Sequence, residues 1–318
     1  CVGSGGPLVD VRERPGHTVS MVSESPSGTN QTRLVYPSAQ AMYRAAERWR
    51  DESLIDDHSL FGGHPLDVHA AIRDLRRYFI DSPDLGPGTF TSKLRDQLAD
   101  AGADAVQVAA ELLYAHVLIS STSAISSAKK AELITSVLDI RADQTRPLPS
   151  DLRDALRGGG ANPGTAFQTY RWKMFGYLVE MYAAVKALDT TSRREALTTD
   201  NGLARLLAGI DSQTAWSQRS AVEHLLLPDV HPSLLSRDDR VSIQKALGES
   251  DDEAVEGIAA RLEPNLSFGD CVEVDFYRFP YRDRWRGVSP AVETYGAWAR
   301  LVADAVDLDE VERNYKIE

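Results

Sequence analysis

The sequence predicts an all-α fold, a multi-helix bundle of about a dozen helices. Three observations carry this. Apolar residues recur at helical spacing: Val68, Ile72, Leu75 and Phe79 step by 4, 3 and 4, and Phe167, Tyr170, Met174, Leu178, Met181, Val185 and Leu188 step by 3, 4, 4, 3, 4 and 3. Ser and Thr residues stand where helices would begin, and clusters of Gly and Pro stand where they would end. Only the stretch Phe268 to Tyr277 shows even weak alternation, so one short β element is expected near 270–277.

Taken in order, residues 1–37 are rich in Gly, Pro, Ser and Thr without an apolar period, and read as a flexible leader. Ser38 is placed to cap a helix through about Leu54, with Trp49 inside it. Pro65 opens the next helix, which ends before the break Asp81-Ser-Pro-Asp-Leu-Gly-Pro-Gly. Thr91 or Ser92 starts a short helix to about Ala101. Residues 104–119 are apolar on most sides and read as a central buried helix. Ser126 or Ser127 starts another helix, through Ile140.

Residues 141–163 carry Pro147, Pro149, Gly158-Gly159-Gly160 and Pro163, with one short helix, Ser150 to Arg157, among them. This is the expected boundary between an amino-terminal part, 38–140, and a second helical part, 164–318. The longest helix is expected at about 164–188. Others follow near 200–209, 214–227, 236–247, 251–262 and 289–305.

The chain has 318 residues, 42% hydrophobic and 26% charged, with a net charge of −12. That balance fits a globular protein with a sizeable core. It opposes non-specific attraction to nucleic acid or to an anionic membrane. Two cysteines, Cys1 and Cys271, are too few for a disulfide framework. A reducing, cytoplasmic setting is expected. No apolar run is long enough to span a membrane. Cys1-Val-Gly-Ser-Gly-Gly would suit the mature end of a lipoprotein, in which acylation of Cys1 anchors a helical domain that binds a protein or ligand. The preferred reading gives Cys1 no such role, takes Met21 as a natural start and expects no membrane partner.

No catalytic residue and no metal site are assigned. The pattern GxxxxGK[ST] is absent, and Gly158-Gly-Gly-Ala-Asn-Pro-Gly164 lacks the lysine that would follow a phosphate-binding loop. No cofactor is expected in this chain. His58, His64 and His69 stand among Asp56, Asp57 and Asp67, but their spacing fits neither a helical His pair nor a finger, so capping and surface roles are expected. His224, Asp229 and His231 form a second cluster beside Asp238 and Asp239. Here Pro228 and Pro232 shape a bend and Ser236 caps the helix that follows, so the cluster too reads as structural. Cys271 has no local signature and reads as a packing residue.

Two segments mix aromatic and basic residues. In Tyr170-Arg171-Trp172-Lys173, Tyr170 belongs to the core seam, leaving Arg171 and Lys173 to solvent. Tyr277-Arg278-Phe279-Pro280-Tyr281-Arg282-Asp283-Arg284-Trp285-Arg286 is denser, with four arginines in an acidic chain. Arginines contact phosphates and aromatic rings stack on bases. Arg278, Tyr281, Arg282, Arg284, Trp285 and Arg286 are therefore the candidate contacts to DNA or a partner protein. The alternative is a packing segment whose rings plug a core and whose arginines pair with acids.

The run Leu225-Leu226-Leu227-Pro228-Asp229, followed by Ser236-Arg237 and Ile243, resembles the amino-terminal region of bacterial McrB-like AAA proteins. There an "LLxPD" helix end precedes an "SRxxxxxI" helix. Glu312-Arg313-Asn314-Tyr315-Lys316 is similar to the "ERxYK" stretch shortly before their nucleotide-binding core. The resemblance covers mainly 165–318. It implies a regulatory or target-sensing helical module of an AAA NTPase that restricts foreign DNA, with nucleotide and magnesium bound by an AAA core outside this chain. The implied partners are that core, a nuclease subunit and, as a candidate, DNA. The methylated-base reading domain of the best-known member is not seen here. A stand-alone helical scaffold is the remaining alternative.

Overall fold

A computed structural model describes residues 39–250, 252–268, 271–278 and 280–287. The helix that begins with α1 (Gln40–Arg48) widens without a break into a π-helical turn, Trp49–Ile55. Ser38, its expected cap, lies outside the described residues. Next, α2 (Val68–Leu75) is capped by Asp67, whose carboxylate accepts from the Ala70 backbone N–H at 2.9 Å, and it too widens into a π turn, Arg76–Ile80. Thr89, not Thr91 or Ser92, caps α3 (Phe90–Gln97). Then come α4 (Ala103–Leu118) and α5 (Ser127–Leu138), the latter capped by Ser126, one of the two serines expected to start it.

The all-α prediction holds for the described residues. α4 is its hub: every residue from Ala105 to Leu118 is buried, and α2, α5 and α8 (Arg171–Lys186) pack around it. On α8, Met174, Leu178, Met181 and Val185 are buried as the period requires. Each such side chain, fully buried, contributes about 1.5–3 kcal/mol.

Residues 141–163 do not divide the core. They carry α6 (Ser150–Ala155), and Leu148, Leu152, Ala155 and Leu156 are buried in the same apolar cluster as α4 and α8. The reason lies in the backbone. Gly159 has φ +143°, and a Cβ there would meet the Ser120 carbonyl oxygen at 2.2 Å. The glycines let the chain lie directly on the end of α4, where the Gly160 and Ala161 N–H groups both donate to the Ile119 carbonyl. A flexible link is replaced by a tight backbone contact.

The helix expected at 164–188 breaks at Tyr170, which has φ −96° and ψ 33° and ends α7 (Gly164–Thr169). Outside the helical register, its ring leaves the seam and is 49% exposed. α9 (Thr190–Thr198) was not expected, because only Ala196 and Leu197 mark an apolar face; Asp189 caps it. After α10 (Asp200–Ala208) and α11 (Trp216–Leu226), the helices expected near 200–209 and 214–227, residues 227–236 form a short joint.

Beyond the joint the packing changes. α12 (Arg237–Leu247), α13 (Val255–Arg261), an antiparallel ribbon of β1 (Leu266–Phe268) and β2 (Cys271–Glu273), and α14 (Tyr281–Arg286) gather around Leu234, Ile243, Ile258, Val274, Phe276 and Tyr281. This is a second core, distinct from the first, which ends with Leu235. The short β element was expected, but as one piece near 270–277; it is a hairpin-like pair with Phe268 opposite Cys271. The helix expected at 289–305, the leader at 1–37 and the Glu312–Lys316 stretch lie outside the described residues. No helix among the described residues is long and apolar enough to cross a membrane.

Candidate functional site

The expected DNA or partner contacts lie on and before α14, and the structure divides them. Tyr281 is buried in the second core, and its hydroxyl donates to the Glu263 carbonyl. It has no free face for stacking, so that expectation is corrected: the ring packs next to Phe276. Trp285 is half-buried. Its indole N–H donates to the Phe276 carbonyl at 2.7 Å, and Tyr277 meets its ring edge to face at a centroid distance of 5.7 Å. The Tyr277 hydroxyl in turn donates to Asp239 Oδ2 at 2.8 Å.

Three of the four arginines are engaged by acids. Arg278 Nε lies 3.1 Å from Asp275 Oδ2, Arg286 Nη2 lies 3.6 Å from Asp239 Oδ2, and Arg282 Nη1 lies 4.0 Å from Asp283 Oδ1. Arg286 also lies over the Trp285 ring at 4.9 Å. Arg284 is exposed and makes no ion pair within the described residues. Burial of the rings and pairing of the arginines fit the packing alternative. The arginine heads that reach solvent on α14 can still meet an anion as point charges, without base stacking.

Residues 225–243 run from the end of α11 through the joint into α12, between the two cores. α11 ends at Leu226, with Leu225 and Leu226 buried in the first core, and Ser236 caps α12 by accepting from the Asp239 N–H at 3.1 Å. Ile243 sits in the second core. His224 is buried where the joint folds back. Its Nδ1 donates to the His231 carbonyl at 2.7 Å, so its Nε2 accepts from the Tyr43 hydroxyl at 2.9 Å. Burial pushes its pKa down to about 4, which keeps the ring neutral. The structural reading of His224 and Ser236 thus matches their surroundings. His231 has further partners, Asp200 and Glu256, described below.

Around α4 the structure gathers polar residues that no sequence pattern had marked. Glu111 is fully buried and accepts from Ser59 Oγ at 2.6 Å, Ser53 Oγ at 3.0 Å and Gln107 Nε2 at 3.2 Å; burial raises its pKa against these hydrogen bonds. His116 donates through Nδ1 to Gln218 Oε1 at 2.6 Å and stacks on Phe167, and burial lowers its pKa to about 3. Lys130 is buried and donates to the carbonyls of Ser120, Leu156 at 3.0 Å and Gly158 at 3.2 Å. The glycine-rich loop therefore turns its carbonyls to a lysine, an arrangement for holding the loop, opposite in polarity to a phosphate cradle.

The first histidine group resolves similarly. Asp57, at φ +55°, accepts from Lys186 Nζ at 2.5 Å and Arg193 Nη1 at 2.7 Å, while those two cations also cap the carbonyls of Ser53, Leu54 and Ile55. His58 Nδ1 donates to the Asp56 carbonyl, and Asp67 is spent on its helix cap. Among the described residues no group of three or more His, Cys, Asp or Glu side chains is gathered as metal ligands would be.

A cleft of about 1050 Å³ runs along the outer face of α8, floored by Gly176, Glu180 and Ala184 and walled by residues 83–90 and 209–215. Leu85 and Trp172 stand exposed at its rim. Sequence reading missed it, because its floor is the polar and small-residue face opposite the seam. No family model, no curated protein and no solved structure matches the chain.

Proposed function

We propose that the chain is a non-catalytic helical module, regulatory or target-sensing, of a McrB-like AAA NTPase that restricts foreign DNA in the cytoplasm. Its partners in this reading are the AAA core that holds nucleotide and magnesium, a nuclease subunit, and DNA met by the exposed arginines of α14. The observation that carries the reading is the resemblance of residues 225–243, joined in the expected order by 312–316. The position of residues 225–243 lends support, because a joint between two cores is a natural place to pass strain from a sensing part to a motor. His58, His224, Glu111 and the glycine loop, which would first suggest chemistry, are engaged in hydrogen bonds within the fold.

The experiment has two parts. The purified chain is incubated with magnesium and ATP or GTP, and the open reading frame is read past the codon for Glu318. No turnover by the chain, together with a frame that continues into GxxxxGK[ST], supports the proposal. Magnesium-dependent hydrolysis that disappears when one of the chain's own residues is replaced overturns it, as does a frame that never reaches that motif.

A further inference from the structure

His231 lies in the joint, and its ring faces a carboxylate on each side. Nε2 is 3.1 Å from Asp200 Oδ1, on the first turn of α10 in the helical body built around the first core. Nδ1 is 3.6 Å from Glu256 Oε1, on the first turn of α13, which packs in the second core. The imidazole side chain is 14% exposed, and Nδ1 has no hydrogen-bond partner. A neutral imidazole has one N–H and one lone pair. It satisfies one of these carboxylates and turns a lone pair toward the other. Only the imidazolium offers an N–H to both.

Beside Asp200 on α10, the charged and polar neighbours of the ring come from α11, α12 and α13. On α12, Arg240 Nη1 binds the same Glu256 oxygen at 2.7 Å, and its Nε donates to the Leu234 carbonyl. Arg240 and Glu256 both belong to the second core's side, so their pair does not cross the joint. Burial opposes the Glu256 charge, but the His231 ring and the Arg240 guanidinium outweigh it and hold the carboxyl at about 2, so it stays ionised. On α11, His224 is neutral and spends its Nδ1–H on the His231 carbonyl.

We propose that His231 is a protonation-dependent clamp that ties the second core to the helical body. The imidazolium grips Asp200 and Glu256 together; the neutral ring lets one of them go, and the joint at 227–236 gains freedom. A proton on the second ring nitrogen closes the clamp, and its loss opens it. The device belongs to the geometry of this chain and does not depend on which larger assembly the chain serves.

Paired fluorophores report the distance across the joint. They are attached through Ala204→Cys on α10 and Ala260→Cys on α13, both exposed, with Cys1 and Cys271 replaced by Ser. In the otherwise wild-type chain the label separation is expected to lengthen or broaden on going from about pH 5 to about pH 8. His231→Gln, which keeps one donor but cannot gain a proton, is expected to abolish the change and to stay in the open distribution. Asp200→Asn, at an exposed position away from both cores, is expected to abolish it too, and it carries the test should His231→Gln fail to fold. An unchanged distance in the wild-type chain across this range overturns the clamp, and so does a full transition surviving in Asp200→Asn.

Discussion

His116 and His224 sit where a positive charge has no counter-ion, and burial holds both rings neutral, with pKa values near 3 and 4. In the unfolded chain the same rings take up a proton near pH 6.5. Below that value the unfolded state binds more protons, so stability rises with pH up to about 6.5 and falls as the pH drops toward 4. Fully developed, the shifts correspond to on the order of 5 kcal/mol for His116 and 3 kcal/mol for His224. Urea midpoints are therefore expected to drop steeply between about pH 6.5 and about pH 4.5. His224→Gln, which retains a donor for the His231 carbonyl, should lessen the slope, and a slope identical to wild type would show that His224 does not carry it. This acid effect runs opposite to the clamp, which closes in acid, so core stability and joint distance separate the two histidines.

At the scale of elements, α8 shows how far a period can be trusted. The seam Met174, Leu178, Met181 and Val185 is buried as its spacing of 3 and 4 demands. Leu178 is fully buried against α4, and Leu178→Ala is expected to cost about 2–5 kcal/mol, read as a lower urea midpoint with an unchanged slope. A loss below about 1 kcal/mol would mean that the site collapses around the deletion and that α8 is not central. The same seam misplaces Tyr170, because period alone cannot see that the chain leaves the helix at that residue. α9 was invisible for a related reason. Thr-Thr-Ser-Arg-Arg-Glu-Ala-Leu-Thr has weak propensity and little apolar face, and it is held by Asp189 and by Arg193 reaching the carbonyls of Ile55, Lys186 and Leu188.

Across the whole molecule, the second core is small and leans on its aromatic residues. Trp285→Ala is expected to destabilise it by on the order of 2 kcal/mol, less than the about 3–5 kcal/mol of a fully buried tryptophan. Thermal melting should then show an early transition for this part. Arg284→Ala should leave melting unchanged, since its head lies in solvent. If DNA is the partner, replacing Arg282 and Arg286 by Ala weakens binding across sequences and flattens its salt dependence, because fewer counterions are released. Binding measured at two salt concentrations beside the melting curves separates these outcomes. Loss of melting temperature without any DNA signal would leave α14 a packing element only.

The sequence by itself determined the helical class, because a repeat of 3 and 4 in apolar residues has no other use over such lengths. It also determined several helix starts, Ser126 and Ser236 among them, because a cap acts within one turn of its own helix. It marked 277–286 as aromatic and basic, but left open whether those rings faced out or in. Only tertiary structure decided that Tyr281 is buried, since burial depends on what comes to lie across from a residue. Only tertiary structure placed Lys130 under the glycine loop, carried one core across 141–163 and began another at Leu234. The pairing of His231 with Asp200 and Glu256 is of the same kind. Three side chains from separate elements meet only when two packed cores bring them together, and no local pattern encodes that meeting.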